Sequence, residues 1–492
     1  MTFPLWTPFT SEWIAILLIL VIIVSILYLS DFSISKNFLS IEQSRRSVHI
    51  IIGVMAMTSP IIFSQNTVPI IVSSIFALVN IFAIKYDFFR SIHATNRVTY
   101  GTIYFPISYL IVSLFFWEYS EYIIISLSIL AFSDPIASLV GAKVKNPTSF
   151  IIWKDKKTIQ GTISFFLFSF LLVSLGMYHM SNLALNKIIF GAIITSTLAT
   201  ASEITSYEGS DNITIPIISI LSMIVFFDQN HSLSLQYSNQ ELFIILLAVQ
   251  IILYLSSKLK YLSLDGFVGA SIMSIFITLL GSFYHLISMS IFFVLSSILG
   301  KLLNNITYNK TEETNRNIVQ VYANGGIPLI ICIFGFLYPN PYSFPLFLAS
   351  ISAAMSDTWG TEFGRLSKVR PISILNFKSV DHGISGGITI VGTLGSLFGA
   401  IIFGILTYLT SYANKEIIFF VIICGFLSSI FDSILGASAQ AKYKTRSGII
   451  VENKNNHTNL ISGFSFIDNS MVNFLSIIFS ASLMFIFLYF YG

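Results

Sequence analysis

Two stretches of this chain carry the same uncommon pair of residues. Positions 133–141 read SDPIASLVG and positions 356–364 read SDTWGTEFG, and each Ser-Asp closes a long apolar run. An ionised carboxylate at the end of an apolar helix is expensive unless it meets a cation or a metal ion. Asp134 and Asp357 are therefore candidates to hold a divalent cation or to orient a nucleophile. After Asp134 comes KVKNPTSFIIWKDKKTIQGT, which brings Lys143, Lys145, Lys154, Lys156 and Lys157 into one loop. Lysines followed by glycine at a helix start suit phosphate, through point charge, open backbone N–H groups and a positive helix terminus. Lys157, Gly141 and Gly161 are the residues this chemistry selects. Arg45, Arg46 and His49 cluster where an earlier span begins, and Arg97 precedes the glycine of NRVTYGTIYFP. Glu203, Asp211 and Asn212 add oxygen ligands. Acid for a metal and base for phosphates would converge where a Mg²⁺–nucleotide binds. Neither GxxxxGK[ST] nor a GxGxxG entering a Rossmann unit is present, so spacing alone supports an anionic ligand with a divalent cation.

The second half repeats this grammar. Arg316 and Gln320 stand against Arg45 and His49, Asp357 and Gly364 against Asp134 and Gly141, Gly386 against Gly161, and Asp468-Asn469 against Asp211-Asn212. Asp357 and Glu362 lie five apart, bracketing a helix end without sharing a face. Arg365, Lys368 and Lys378 follow. Asn324, Gly325 and Gly326, and the run Ser385, Gly386 and Gly387, offer free backbone amides to an anion. Metal ligands expected here are Asp357, Glu362, Asp468 and Asn469; Asp468 and Asn469, like Asp432, read equally well as interfacial residues. Each residue also has a plainer role: glycines pack membrane helices, arginines anchor at interfaces, and acids pair with nearby bases.

The elements that must position these groups are membrane helices. The chain is 54% hydrophobic and only 10% charged, whereas soluble domains carry about a quarter charged residues. Apolar runs of about 20 residues, enough to cross the hydrocarbon core, follow one another throughout. The pattern predicts an all-α polytopic membrane protein with about sixteen transmembrane helices in two parallel-oriented halves of about eight, residues 1–230 and 231–492. All 26 Lys and Arg fall in alternate connections except Lys187 and Lys415. By the positive-inside rule those connections are cytoplasmic and both termini lie outside. Cys332 and Cys424 lie in apolar runs and read as small buried hydrophobes. A net charge of +3 gives no case for nucleic acid. The unusual polar residues gather at the cytoplasmic face of the cell membrane, as for an enzyme using a cytosolic co-substrate on a lipid. A transporter concentrates such groups near the midplane.

From Arg45 to Pro216 the chain resembles the dolichol kinase, phytol kinase and phosphatidate cytidylyltransferase-like family. The marks are the basic pair and His at 45–49, YGTIYFP at 100–106, SDPIASLVG, KTIQGT at 157–162 and DNITIP at 211–216. The resemblance implies phosphorylation of a polyprenol, typically with CTP. Gln160 stands where that family usually has Glu. From about Leu264 to Phe474 the chain resembles the phytyl-phosphate kinase family of integral membrane proteins. There the marks are RNIVQVYANGGIP, AAMSDTWGTEFGRLSK, SGGITIVGTLGS, GASAQAKY and IDNSMVNFL. That resemblance implies addition of a second phosphate. Together they lead us to expect a bifunctional membrane kinase that takes an isoprenoid alcohol to its monophosphate and then its diphosphate, using a nucleoside triphosphate and Mg²⁺. A cytidylyltransferase making a CDP-lipid and a parallel-repeat transporter are the alternatives.

Overall fold

In lipid every backbone polar group must be satisfied within its own segment, and this chain meets the demand with helices. The computed structural model describes residues 3–7, 12–85, 100–228, 239–306, 315–410, 414–446, 450–452 and 458–491. It divides into two compact units, Met1–Leu235 and Gln236–Gly492. The first holds α1 (Glu12–Ser35), α2 (Ile41–Ile62), α3 (Thr67–Lys85), α4 (Gly101–Phe115), α5 (Ser120–Lys143), α6 (Ile159–Met180), α7 (Leu185–Ile204) and α8 (Asp211–Phe227). The second holds α9 (Asn239–Lys258), α10 (Leu264–Leu280), α11 (Phe283–Ile306), α12 (Ile318–Leu337), α13 (Ser343–Gly364), α14 (Ile390–Tyr408), α15 (Lys415–Ser438) and α16 (Asn469–Tyr491).

Ten helices among the described residues are long and apolar enough to cross a membrane by length and composition. α2 and α13, which carry the basic cluster and Asp357, are not among the ten.

Short antiparallel ladders, absent from the all-α expectation, connect the helices. β1 (Ser149–Ile151) pairs with β2 (Lys156–Thr158), with Ile151 opposite Lys156. In the second unit β3 (Ile372–Ser373) pairs with β4 (Gly387–Ile388), and β5 (Lys442–Thr445) runs between β6 (Ile450–Val451) and β7 (Thr458–Ser462). Each ladder folds a polar connection back on itself.

The same helix joint occurs in both units. Thr158 caps α6 by accepting from Gly161 N, and Thr389 caps α14 by accepting from Gly392 N. A Cβ at Gly161 would lie 2.9 Å from Ala137 O, and one at Gly392 2.9 Å from Gly360 O. Ala137 and Gly360 each stand three residues after the Ser-Asp aspartate. The joint corrects the sequence pairing: the counterpart of Gly161 is Gly392, not Gly386. The pairing of Arg45 and His49 with Arg316 and Gln320 fails as well. The first pair sits on the second helix of its unit and the other enters the fourth of its own.

Candidate functional site

In the first unit, five elements deliver the site. α5 is interrupted by a π turn at Ile129–Ser133, immediately before Asp134. One face of α2 meets that turn so closely that a Cβ on Gly53 would lie 3.2 Å from the Cα of Ala131. One helical turn earlier, His49 Nε2 lies 3.0 Å from the Leu130 carbonyl. A carbonyl only accepts, so Nε2 carries the hydrogen. The adjoining Arg46 donates to Ser138 Oγ at 3.0 Å and pairs with Glu42. Arg45 is exposed.

Across from α2, Lys157 on β2 donates to Glu203 Oε1 on α7 at 2.5 Å and to Ser206 Oγ at 3.1 Å. Burial pulls the Lys157 ammonium down, but Glu203, Asp211 and Asp134 outweigh it and hold its pKa above the usual lysine value. Glu203 is only 5% exposed, and its Oε2 has no hydrogen-bond partner. Asp211 opens α8, accepting at Oδ1 from Asn212 N and Nδ2. The charge of Asp134 is repelled by Asp211 and attracted by His49, Lys157 and Arg45. The acids and bases selected from sequence thus meet here.

These groups form one end of a cavity of about 1290 Å³. At that end stand Arg45, Arg46, His49, Asp134, Lys157, Glu203, Asp211 and Asn212, with Gly141 and Gly161 in the wall. Phe105 of α4 stands beside His49. Away from that end the lining is mostly apolar, through Ile19, Ile22 and Leu27 of α1, Ile52 and Met55 of α2, and Val72 and Phe76 of α3, with Thr58, Ser59 and Ser73 among them. The volume exceeds the 300–1,000 Å³ range usual for small-ligand pockets. Charge at one end and hydrocarbon along the rest is the shape of a lipid with a reactive head. Arg97 lies outside the described residues.

The second unit gathers fewer of its predicted residues. The carboxyls of Asp357 on α13 and Asp432 on α15 stand close enough to act on each other's charge, and Asp432 Oδ2 is buried with no hydrogen-bond partner. Two carboxyls tolerate this only by sharing a proton or a cation. The lysines expected around Asp357 are elsewhere: Lys368 and Lys378 are exposed on the following loop. Glu362 points toward a different neighbourhood. It receives Arg365 Nη1 at 3.0 and 3.2 Å and lies against Gly300, with Arg316 acting on its charge. Glu362 is thus ion-paired within its own helix end and stands apart from Asp357.

Gln320 forms a reciprocal capping box with Asn317 at the start of α12, so its side chain satisfies backbone rather than substrate. Asn324 donates to Gln320 O at 2.9 Å while its buried Oδ1 is unpartnered. Gly325 packs against Met273, and Gly326 has room beside Phe474. Gly386 has φ +83° and backs onto the Ala437 backbone, and Gly387 lies in β4. The Ser385 amide and hydroxyl, expected to receive an anion, donate to Glu452 Oε1 at 2.6 Å and Oε2 at 2.8 Å. Asp468 caps α16 by accepting from Met471 N at 2.9 Å, and both it and Asn469 are exposed. They serve the helix start, not a buried metal position. Asp432 and Glu452 are the residues whose weight sequence reasoning missed. The Ser-Asp motif signalled a buried acid, but its partner lies 75 positions away.

Among the described residues no three His, Cys, Asp or Glu side chains form a ready cation cage. Mg²⁺ needs none: it is typically held by one or two carboxylates together with substrate phosphates and water. The unpartnered Glu203 Oε2 and the opposed Asp134 and Asp211 fit such an ion.

The chain is similar to known membrane proteins. The family described as integral membrane protein DUF92 matches residues 247–481. An uncharacterized membrane protein of Methanocaldococcus jannaschii is 33% identical over 225 residues, covering 45% of this chain and 89% of that protein. Protein PGR of Arabidopsis thaliana is 28% identical over 264 residues, 47% of this chain and 91% of its own. Phytol kinase 1 of Arabidopsis thaliana is 27% identical over 214 residues, 39% of this chain and 69% of its own. No solved structure matches the chain.

Proposed function

This chain belongs to the integral membrane protein DUF92 family, and on that premise we propose that it phosphorylates an isoprenoid alcohol in two successive steps, to the monophosphate and then the diphosphate. The observation that carries the reading is the cavity of the first unit, where opposed acids and bases stand at the mouth of a long apolar shaft. The similarity to phytol kinases supports an isoprenoid alcohol as acceptor. The reaction is in-line transfer of a nucleotide γ-phosphoryl group, CTP being the expected donor, at the cytoplasmic face. The lipid hydroxyl oxygen, or in the second step a lipid phosphate oxygen, bonds to the γ-phosphorus as that atom's bond to the bridging oxygen breaks. The nucleoside diphosphate leaves and the hydroxyl proton passes to water. Asp134, Asp211 and Glu203 would hold Mg²⁺, which supplies charge neutralisation on the donor phosphates.

The chain's own residues do the rest. Lys157 and Arg46 offer fixed positive charge to the phosphate oxygens. His49, at the junction of polar and apolar lining, positions the alcohol. The shaft keeps the tail in hydrocarbon so that only the head meets water. In the second unit we assign the second transfer to the Asp357–Asp432 pair, whose carboxyls would share a cation. Residues 1–230 act as the alcohol kinase and 231–492 as the monophosphate kinase.

The test is purified protein in detergent with phytol or geranylgeraniol, Mg²⁺ and CTP, ATP or UTP labelled in the α or γ position. Label from γ in lipid mono- and diphosphate is the expected result. Transfer of the α label would mean a cytidylyltransferase and overturn the reading. Asp134→Ala should abolish the first step and Asp357→Ala the second; survival of either step overturns the corresponding assignment.

A further inference from the structure

The apolar shaft has a floor. α2 lines the cavity along its whole length, from Arg45 through His49, Ile52, Met55 and Ser59 to Ile62, with Phe63 just beyond. These positions fall on one face of a helix. From His49 to Phe63 is fourteen residues, or about 21 Å at 1.5 Å per residue. That exceeds the roughly 15 Å of hydrocarbon in one leaflet. At the far end Phe63, Val68 and Val72 pack with Ala15 into one buried cluster, with Ile19, Phe76 and Trp117 against it. Phe63 is 4% exposed and Val68 2%. The floor is braced from outside. Glu12 Oε1 accepts from Ser64 N at 3.1 Å and Ser64 Oγ at 2.7 Å, and Trp6 N donates to Ile61 O at 3.1 Å. A tail whose head is fixed at His49 and Asp134 therefore ends against packed side chains.

We propose that Phe63, with Val72 beside it, is the specificity-determining stop that measures the length of the isoprenoid tail. The inference rests on the isoprenoid-alcohol reading of the same cavity. Each methylene moved from water into the shaft is worth about fourfold in affinity. Affinity should thus climb with chain length until the tail reaches the floor and then stop climbing. Phe63→Ala opens the floor, and Val72→Phe raises it.

The experiment measures dissociation constants of the full chain in nanodiscs for a series of linear prenols of increasing isoprene number, without nucleotide, each corrected for partition into protein-free nanodiscs and referred to the free aqueous prenol. In wild-type protein the gain per added unit should collapse at one length. Phe63→Ala, or the gentler Phe63→Leu if the alanine variant misfolds, should move that break to longer prenols, and Val72→Phe should move it at least one isoprene unit shorter. A break that stays at the same length in every folded variant overturns the ruler while leaving the substrate reading in place. An absence of prenol binding in wild type overturns both. A series that climbs with no break in wild type overturns the stop at Phe63.

Discussion

Lys157 and Glu203, 46 positions apart in sequence, meet at 2.5 Å between the ladder before α6 and the end of α7. The ladder explains why. β1 and β2 are too short to be a sheet of any strength, but their register turns the Lys157 side chain from the loop into the cavity wall. A carboxylate that is 5% exposed then has a cation, and one of its oxygens is left over for another.

Breaking a buried pair from one side leaves an uncompensated charge and costs about 3–5 kcal/mol. Lys157→Met should abolish formation of the monophosphate and lower thermal stability. Adding Glu203→Gln should restore most of the stability and none of the activity. Thermal unfolding and a first-step assay on the single and double variants check this.

The charge on Lys157 should persist across the neutral range. Its pKa is raised by Glu203, Asp211 and Asp134 despite burial. A raised lysine contributes stability that is complete below the unfolded pKa of about 10.4 and is lost as pH rises through the higher folded value. Stability from this pair should be flat from pH 7 to about pH 9 and fall only on the far alkaline side. In the Lys157→Met, Glu203→Gln double variant that alkaline loss should shrink.

The second unit gives a prediction that the sequence motif alone does not. Asp432 touches Asp357, so Asp432→Asn should impair conversion of supplied prenyl monophosphate to diphosphate as severely as Asp357→Asn. Formation of the monophosphate should be unchanged in both. An Asn amide can donate to the remaining carboxyl and removes one of two buried like charges, so unfolding temperature should shift little.

Gly161 and Gly392 occupy the same joint, each with a carbonyl 2.9 Å from where a Cβ would stand. Overpacking of this kind costs about 1–3 kcal/mol. Gly161→Ala should slow the first step and Gly392→Ala the second, each with a lower unfolding temperature. A control at Gly383, which has no atom within 4 Å of a Cβ but a φ of +85°, should show only the smaller cost of backbone strain.

The membrane class of this protein, its largely helical build and the acids at Asp134 and Asp357 were legible in the sequence, because burial in lipid forces long apolar runs and makes a carboxylate at their ends conspicuous. Which groups those acids meet was not legible. Partnership across helices depends on close approach at Gly53 and Gly161 and on the π turn before Asp134. None of these leaves a periodic signal. Asp468 and Gln320 matched a motif yet serve helix caps, since a helix end claims the nearest side-chain oxygen. Asp432 sits in an ordinary apolar run and gains its meaning only from the helix packed beside it. One-dimensional spacing reports what a segment must bury; the identity of a buried group's neighbour is set by how helices cross, and that is decided in three dimensions.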